Sequence, residues 1–205
     1  MTAAMLRSVC CLMAFAALTG CGEAPAPVPM APVSEPAYMV RSSEMFRDDE
    51  GKACNPLTAD GRKATVLIFL MHDCPVGNAT APELARIAAA FAPQGIRFYG
   101  VYATETAAEI TAHRKDYRLP FPGLLDPKLQ LARLTGATRA PEATVLSADG
   151  ELLYRGRIDD RAVQPGIMKP VPQQRDLYLA LTAIIEGRQP EQRFTEAIGC
   201  YLPET

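Results

Sequence analysis

The feature that most constrains this chain is an unbroken apolar run from Thr65 to Met71 that stops at His72-Asp73-Cys74-Pro75 and gives way to a helical pattern. A run without apolar and polar alternation reads as a strand buried on both faces, so its sheet must be covered on both sides. Behind it, Leu84, Ile87, Ala88 and Phe91 recur on one helical face. A helix is expected from Pro75 or Ala79 to Ala92, ended by Pro93 and Gly95. Cys74 stands at the junction, where unpaired backbone N–H groups and the helix dipole favour a thiolate over a thiol. Pro75 suits the first helical position because its missing N–H would have no partner there anyway. The position reads as that of a reactive thiol, with a buried structural cysteine as the alternative.

The remaining elements follow from similar signals. Glu44 to Pro56 reads as a hairpin turning at Asp49-Glu50-Gly51, with a polar turn at Ala59-Asp60-Gly61. Ile96 to Tyr102 is a second strand, and Thr106 with Glu109 forms a capping box that opens a helix to about Tyr117. Lys128 to Leu134 is a short helix stopped near Gly136. Ala143 to Ser147 and Glu151 to Arg155 flank Ala148-Asp149-Gly150 as a hairpin. Gln173 to Glu186 is the last helix, its apolar face built from Leu177, Leu181, Ile184 and Ile185.

At the front, Arg7 precedes an uncharged, mostly apolar stretch from Val9 to Leu18, too short to span a bilayer but of the length of a signal-peptide core. Leu18-Thr19-Gly20-Cys21 looks like a bacterial lipoprotein cleavage box, which implies removal of residues 1–20 and a lipid on Cys21. An ordinary secretory signal is the alternative. Gly22 follows the cysteine where aspartate would favour inner-membrane retention, so the expectation is an outer-membrane anchor facing the periplasm. Residues 21–37, with Pro25, Pro27, Pro29, Pro32 and Pro36, read as an extended tether. Residues 38–205 then form one domain, including a C-terminal tail over 188–205. Loss of Arg7 with the leader leaves 20 basic against 23 acidic residues, a formal charge of −3. Neither nucleic acid nor a polybasic membrane contact is indicated.

Of the six cysteines, Cys10 and Cys11 leave with the leader and Cys21 carries lipid. Cys54, Cys74 and Cys200 remain, and an oxidising compartment favours one disulfide among the three. No Cys-x-x-Cys is present, and the only histidines are His72 and His113, so a structural zinc site is not expected.

Strand, helix, strand, helix, hairpin, helix is the order of a thioredoxin-like fold. Residues of about 40 to 187 resemble the redoxin branch of that superfamily, the alkyl hydroperoxide reductase and thiol-specific antioxidant proteins. The resemblance rests on Asp73-Cys74-Pro75 at a strand end, the strand Ile96 to Val101, Ala140-Pro141 before a strand, and Ala148-Asp149-Gly150 in the hairpin after it. It implies an α/β fold with a central mixed sheet flanked by helices. It also implies a cis Pro141 beside the reactive cysteine, with Ala140 pairing to an extended substrate.

Departures from the family narrow the chemistry. The thioredoxin resolving position, three after Cys74, is Gly77. A peroxiredoxin carries proline seven before its cysteine and Thr or Ser three before it; here these are Leu67 and Met71. A Sco-type copper protein needs a second cysteine four residues on, and that residue is Asn78. Copper held by Cys74 and His72, with His113 or Met71, stays open beside an exposed or packing role for the histidines.

The chain also resembles a bacterial redoxin subgroup in Asp73-Cys74-Pro75, Pro141-Glu142-Ala143, Tyr154 to Asp159 and Gly199-Cys200. That resemblance carries the expectation that the tail folds back to set Cys200 beside Cys74 in a reversible disulfide. A structural staple is the alternative, and Cys54 is the competing partner. Arg139 either approaches Cys74 and lowers its pKa or lies on the surface. The charged run Arg155 to Arg161 reads as a solvated ion-pair face, or else as a clamp on the tail.

The expected activity is thiol-disulfide exchange in the cell envelope: Cys74 as nucleophile, Cys200 as resolving residue, Ala140 and Pro141 as the substrate-facing edge. The partners implied are a disulfide-bearing protein or a small thiol or peroxide, and an envelope protein that supplies reductant. No cofactor or metal is expected. A peroxide reductase, a copper-handling chaperone and a non-catalytic binding module with a structural disulfide are the rival readings.

Overall fold

A computed structural model describes residues 38–58, 60–164 and 166–203. The expected leader and tether, and with them Cys21, lie outside the described residues. The early hairpin forms from β1 (Phe46–Asp48) and β2 (Ala53–Cys54), paired antiparallel. Asp48 closes it by accepting the N–H groups of Glu50 and Lys52 at 3.1 and 2.8 Å. β3 (Ala64–Leu70) is the apolar run, and all seven of its residues are buried. α1 (Pro75–Phe91) begins at Pro75 with Cys74 as its N-cap in extended backbone, the earlier of the two expected starts.

β4 (Ile96–Tyr102) follows, then α2 (Ala107–Asp116), whose capping box forms in both directions between Thr106 and Glu109. A strand not expected from the sequence, β5 (Gly123–Leu125), comes next. Then follow α3 (Gln130–Thr135), β6 (Arg139–Ala140), β7 (Glu142–Ser147) and β8 (Leu152–Gly156). A small hairpin of β9 (Ala162–Gln164) and β10 (Ile167–Met168) precedes α4 (Asp176–Ile185), and β11 (Cys200–Tyr201) lies in the tail.

Seven strands make one mixed sheet in the order β2-β1-β5-β4-β3-β7-β8, parallel among β3, β4 and β5 and antiparallel elsewhere. This is the mixed α/β architecture the sequence leads one to expect. Because successive side chains point to opposite faces, β3 feeds two cores. Val66, Ile68 and Leu70 pack with Leu84, Ile87 and Phe91 of α1 and Leu177 and Leu181 of α4. Leu67 and Phe69 pack on the other face with Val101, Leu131, Ala132 and, from the tail, Leu202. Each fully buried Leu, Ile or Phe contributes about 1.5–3 kcal/mol, which favours an interior place in the sheet for a strand whose seven residues are all buried.

The register of β3 positions the site. β3 pairs antiparallel with β7 from Ala64 opposite Ser147 to Phe69 opposite Glu142. The chain leaving β3 toward Cys74 therefore meets the chain entering β7 through Ala140 and Pro141. The Ala140–Pro141 bond is cis.

Two expectations need correction. The run Arg155 to Arg161 is no solvated face, since Asp159 and Asp160 are buried; Asp159 pairs with Arg161 at 2.8 Å and Asp160 with Lys169 at 2.6 Å. The same run also holds the tail: Arg155 exchanges main-chain hydrogen bonds with Arg193 and Thr195, and the Arg157 N–H donates to the Thr195 hydroxyl at 3.1 Å. Second, the short helix expected from Lys128 begins at Gln130, started by a residue the sequence does not flag. Asp126, 1% exposed, accepts the N–H groups of Gln130, Leu131 and Ala132 at 2.7, 3.0 and 3.2 Å.

Leaving those three buried N–H groups without an acceptor is costly. Asp126→Ala is expected to lower unfolding stability by about 1–3 kcal/mol, checked by a shift of the urea midpoint at unchanged slope.

Candidate active site

Cys74 is held by the end of β3 and the start of α1, and it is 0% exposed. Its N–H donates to the Met71 carbonyl at 3.2 Å, and the Asn78 N–H donates to its own carbonyl at 2.9 Å, so the junction is a tight turn running straight into the helix. The first turn of α1 carries no acidic side chain. The thiol donates to the Ala140 carbonyl at 3.0 Å, across 66 residues of sequence.

The tail closes over this junction. β11 pairs antiparallel with β6, Cys200 opposite Ala140 and Tyr201 opposite Arg139, and the Leu202 N–H donates to the Thr138 carbonyl at 3.0 Å. That pairing sets Cys200 Sγ 2.7 Å from Cys74 Sγ, 126 residues away in sequence. Both thiols are free. Burial pushes the Cys200 thiol up to about 11, and its hydrogen bond to Cys74 and the nearby charges of Cys74 and Asp73 act in the same direction. In this arrangement the Cys200 thiol donates toward Cys74.

Of the other expected residues, Ala140 is buried and offers its carbonyl to Cys74 on one side and its backbone to Cys200 on the other. Pro141 is cis and buried beside it. Arg139, expected either against Cys74 or on the surface, lays its guanidinium on the Tyr201 ring, 3.3 Å from the centroid. Its place in the site is to hold the tail. Cys54 sits on β2 at the far edge of the sheet, separated from β3 by three strands, and lines a recess there with Tyr99. Burial raises its pKa. The fold brings Cys200, and not Cys54, to Cys74.

Both histidines are committed to other partners. His113 is buried, its Nδ1 2.8 Å from the Tyr102 hydroxyl and its Nε2 2.8 Å from Asn78 Oδ1. His72 meets the buried Glu105 carboxylate through its N–H at 2.9 Å and its Nδ1 at 3.2 Å. Among the described residues, no group of three or more His, Cys, Asp or Glu is arranged to hold a metal ion.

Four residues to which sequence reasoning gave no role in the site shape it. Glu142 is buried, and its carboxylate accepts the N–H groups of Thr138 and Arg139 at 2.9 and 3.0 Å, fixing the loop that presents β6. Glu105 ties down His72 in the same way. Asn78 donates to the His72 carbonyl at 3.0 Å while receiving His113. Gly199 passes so close to β6 that a Cβ would collide with the Ala140 carbonyl. The signal for Glu142 and Gly199 was their place in Pro141-Glu142 and Gly199-Cys200; nothing local marks Glu105 or Asn78.

The sequence matches the family described as AhpC/TSA over residues 43–155. Comparison with curated proteins finds no match. Among solved structures, the chain is similar to a hypothetical protein of Sinorhizobium meliloti at 24% identity and TM-score 0.72, covering 82% of this chain and 94% of that one. It is similar to an uncharacterized conserved protein of Geobacillus kaustophilus at 22% identity and TM-score 0.70, covering 82% and 92%. Peroxidoxin BcpB of Mycobacterium tuberculosis is more distant, at 16% identity and TM-score 0.54, covering 74% and 96%. These structural likenesses are of fold.

Asn78 uses its amide N–H₂ on His72, so His113 fits as the neutral tautomer with its proton on Nε2 and Nδ1 accepting from Tyr102. Burial lowers its pKa from 6.5 and the neighbouring His72 lowers it further, against Glu105 and Asp116. Between that lowered value and about pH 6.5 the unfolded chain binds the proton and the folded one does not, so stability falls with falling pH in this window. The urea midpoint of the reduced protein is expected to drop from about pH 7.5 to 5, and His113→Gln to flatten that drop.

Proposed function

Because this chain belongs to the AhpC/TSA family and its two facing thiols come from opposite ends of the domain, we propose that it is a thiol-disulfide oxidoreductase cycling between a Cys74/Cys200 dithiol and a disulfide. The observation that carries this reading is the 2.7 Å separation of the two sulfurs, against about 2.05 Å for a disulfide. A movement of less than an ångström joins them. With Gly77 at the usual resolving position, the tail supplies the second sulfur that α1 lacks.

In this cycle the Cys74 thiolate attacks one sulfur of a substrate disulfide and the other sulfur leaves as a thiolate. Cys200 then gives up its proton and attacks the Cys74 sulfur, releasing the second substrate thiol and leaving a Cys74–Cys200 disulfide. A dithiol protein resets the pair by exchange. The bond is labile because the Cys74 sulfur departs at a helix N-terminus, where negative charge is favoured. Since Cys74 is fully buried, the tail lifts for the first attack and returns for the second. Ala140 and Pro141 form the edge that meets the substrate.

The proposal extends to location: the leader and Cys21 anchor the domain by lipid in the bacterial envelope, facing the periplasm, outer membrane favoured. There its partners are disulfide-bearing proteins or small thiols and an envelope reductant. Among the described residues no helix is long and apolar enough to cross a membrane, and lipid on Cys21 supplies the attachment without one.

Non-reducing peptide mapping of the oxidised chain, followed by titration against a glutathione series, tests the reading. A Cys74–Cys200 link that opens within the glutathione range is expected. Cys74→Ser is expected to abolish turnover of a model disulfide, and Cys200→Ser to stall it as a mixed disulfide on Cys74. A Cys54–Cys200 link with Cys74 free would falsify the two-cysteine mechanism, and a link resistant throughout the series would make it a staple.

A further inference from the structure

The tail lies on β6 as a bound peptide would. It is extended, antiparallel and in fixed register, with Cys200 opposite Ala140 and the Leu202 N–H on the Thr138 carbonyl. Main-chain pairing of this kind gives affinity, and the pockets met by alternate side chains give specificity. Four consecutive positions of the tail are each read differently. At Gly199 any Cβ would strike the Ala140 carbonyl and crowd the Pro141 ring. At Cys200 the sulfur is delivered to Cys74. Tyr201 is 71% exposed to solvent, yet the Arg139 guanidinium lies over its ring. At Leu202 the side chain is buried in a core formed with Leu129, Leu131, Ala132 and Ala137.

The groove is also larger than the tail that occupies it. A recess of about 640 Å³ continues beside Leu202 and Pro203, lined by Leu129, Ala132, Arg133, Ala137 and Arg139. Together these features seat Cys200 against Cys74, and an excluded Cβ, a stacked aromatic and a filled apolar notch at successive positions are the marks of sequence recognition.

We propose that the substrate-facing β6 edge selects its partner by sequence. Its ligand in trans is an extended, disulfide-bearing segment of a partner protein with the pattern glycine, cysteine, aromatic, leucine, for which residues 199–202 of this chain are the stand-in in cis. The inference rests on the dithiol reading above, since the recognised cysteine takes the place of Cys200 against Cys74. The partner segment enters when the tail is off the groove, and the tethered tail competes with it at high effective concentration. The Cys74 thiolate then attacks the segment's cysteine sulfur, a Cys74–segment disulfide forms, and the segment's former disulfide partner leaves as a thiolate with the electron pair.

The test uses the full chain carrying Cys200→Ser, so that a trapped adduct cannot be resolved. Four capped tetrapeptides are presented as mixed disulfides with thionitrobenzoate: Gly-Cys-Tyr-Leu and its analogues with alanine for glycine, tyrosine or leucine. Release of thionitrobenzoate gives the rate, and peptide mapping confirms the adduct on Cys74. The parent peptide is expected to react at least tenfold faster than the analogue with alanine before cysteine, and severalfold faster than the other two. Adding Gly199→Val, which drives the tail off β6, is expected to accelerate the parent peptide severalfold without changing the order. Equal rates for all four peptides in both backgrounds overturn the recognition site. If Cys74 then still reacts with free dithiobis-nitrobenzoate, the dithiol reading stands and only this inference fails. A Cys74 inert to every reagent overturns both.

Discussion

The tail can lie on β6 only because Gly199 has no side chain. The chain there runs against the Ala140 carbonyl and the Pro141 ring, and a single methyl group would force it away. From that approach the rest of the site follows. It seats Cys200 opposite Ala140, and because the β3–β7 register has already put Ala140 against Cys74, the two sulfurs meet. One strand pair fixes Ala140 relative to Cys74 and a second fixes Cys200 relative to Ala140. Two cysteines 126 residues apart are thus placed by main-chain hydrogen bonds.

In the proposed cycle the nucleophile is a cysteine that is 0% exposed. The cover over Cys74 is the element that also carries its proposed partner sulfur, so that cycle makes protection and resolution one structural act. What holds the cover is modest. Leu202 contributes about 1.5–3 kcal/mol by burial, and the Arg139–Tyr201 stack about 0.5–1 kcal/mol at an exposed site. Ordering the backbone costs about 1–2 kcal/mol per residue. The proposed cycle requires these last residues to open locally without unfolding the sheet beneath. Further back the tail is held more firmly, where Thr195 and Arg193 pair with Arg155 and the Tyr154 hydroxyl shares a 2.7 Å hydrogen bond with Thr195. That gradient suits the proposed cycle, in which the segment around Cys200 moves and the segment around Thr195 anchors it.

The sequence was legible wherever one element carried its own signal. The seven-residue run of β3, the start of α1 at Pro75, the two-way capping box of α2 and the hairpin of β7 and β8 all stand as expected. The cis Pro141 came from family resemblance and not from periodicity. What escaped was everything too short or too non-local to leave a pattern. β5 is three residues behind Pro120 and Pro122, and β6 and β11 are two residues each, strands only because they find one another across the fold. The buried carboxylates of Asp126, Glu105 and Glu142 look like surface charges in sequence and reveal themselves only through the N–H groups they collect. Arg139 was placed correctly along the chain, but the aromatic ring it selects lies 62 positions further on, which no local reading anticipates.

Those carboxylates explain why only the tail needs to move. Around Cys74, each segment that is not sheet or helix is fixed by a buried polar group: Glu142 holds the approach to Pro141, Glu105 holds His72, and Asn78 joins the His72 carbonyl to the His113–Tyr102 pair. Buried polar groups are costly when unpaired and rigid when satisfied. The network therefore keeps the Cys74 loop and the β6 edge in one relative position while the tail comes and goes. A site built this way has Cys74, the Ala140 carbonyl and the β6 edge set in advance. In the proposed cycle the attachment of the tail then decides when they are open to a partner.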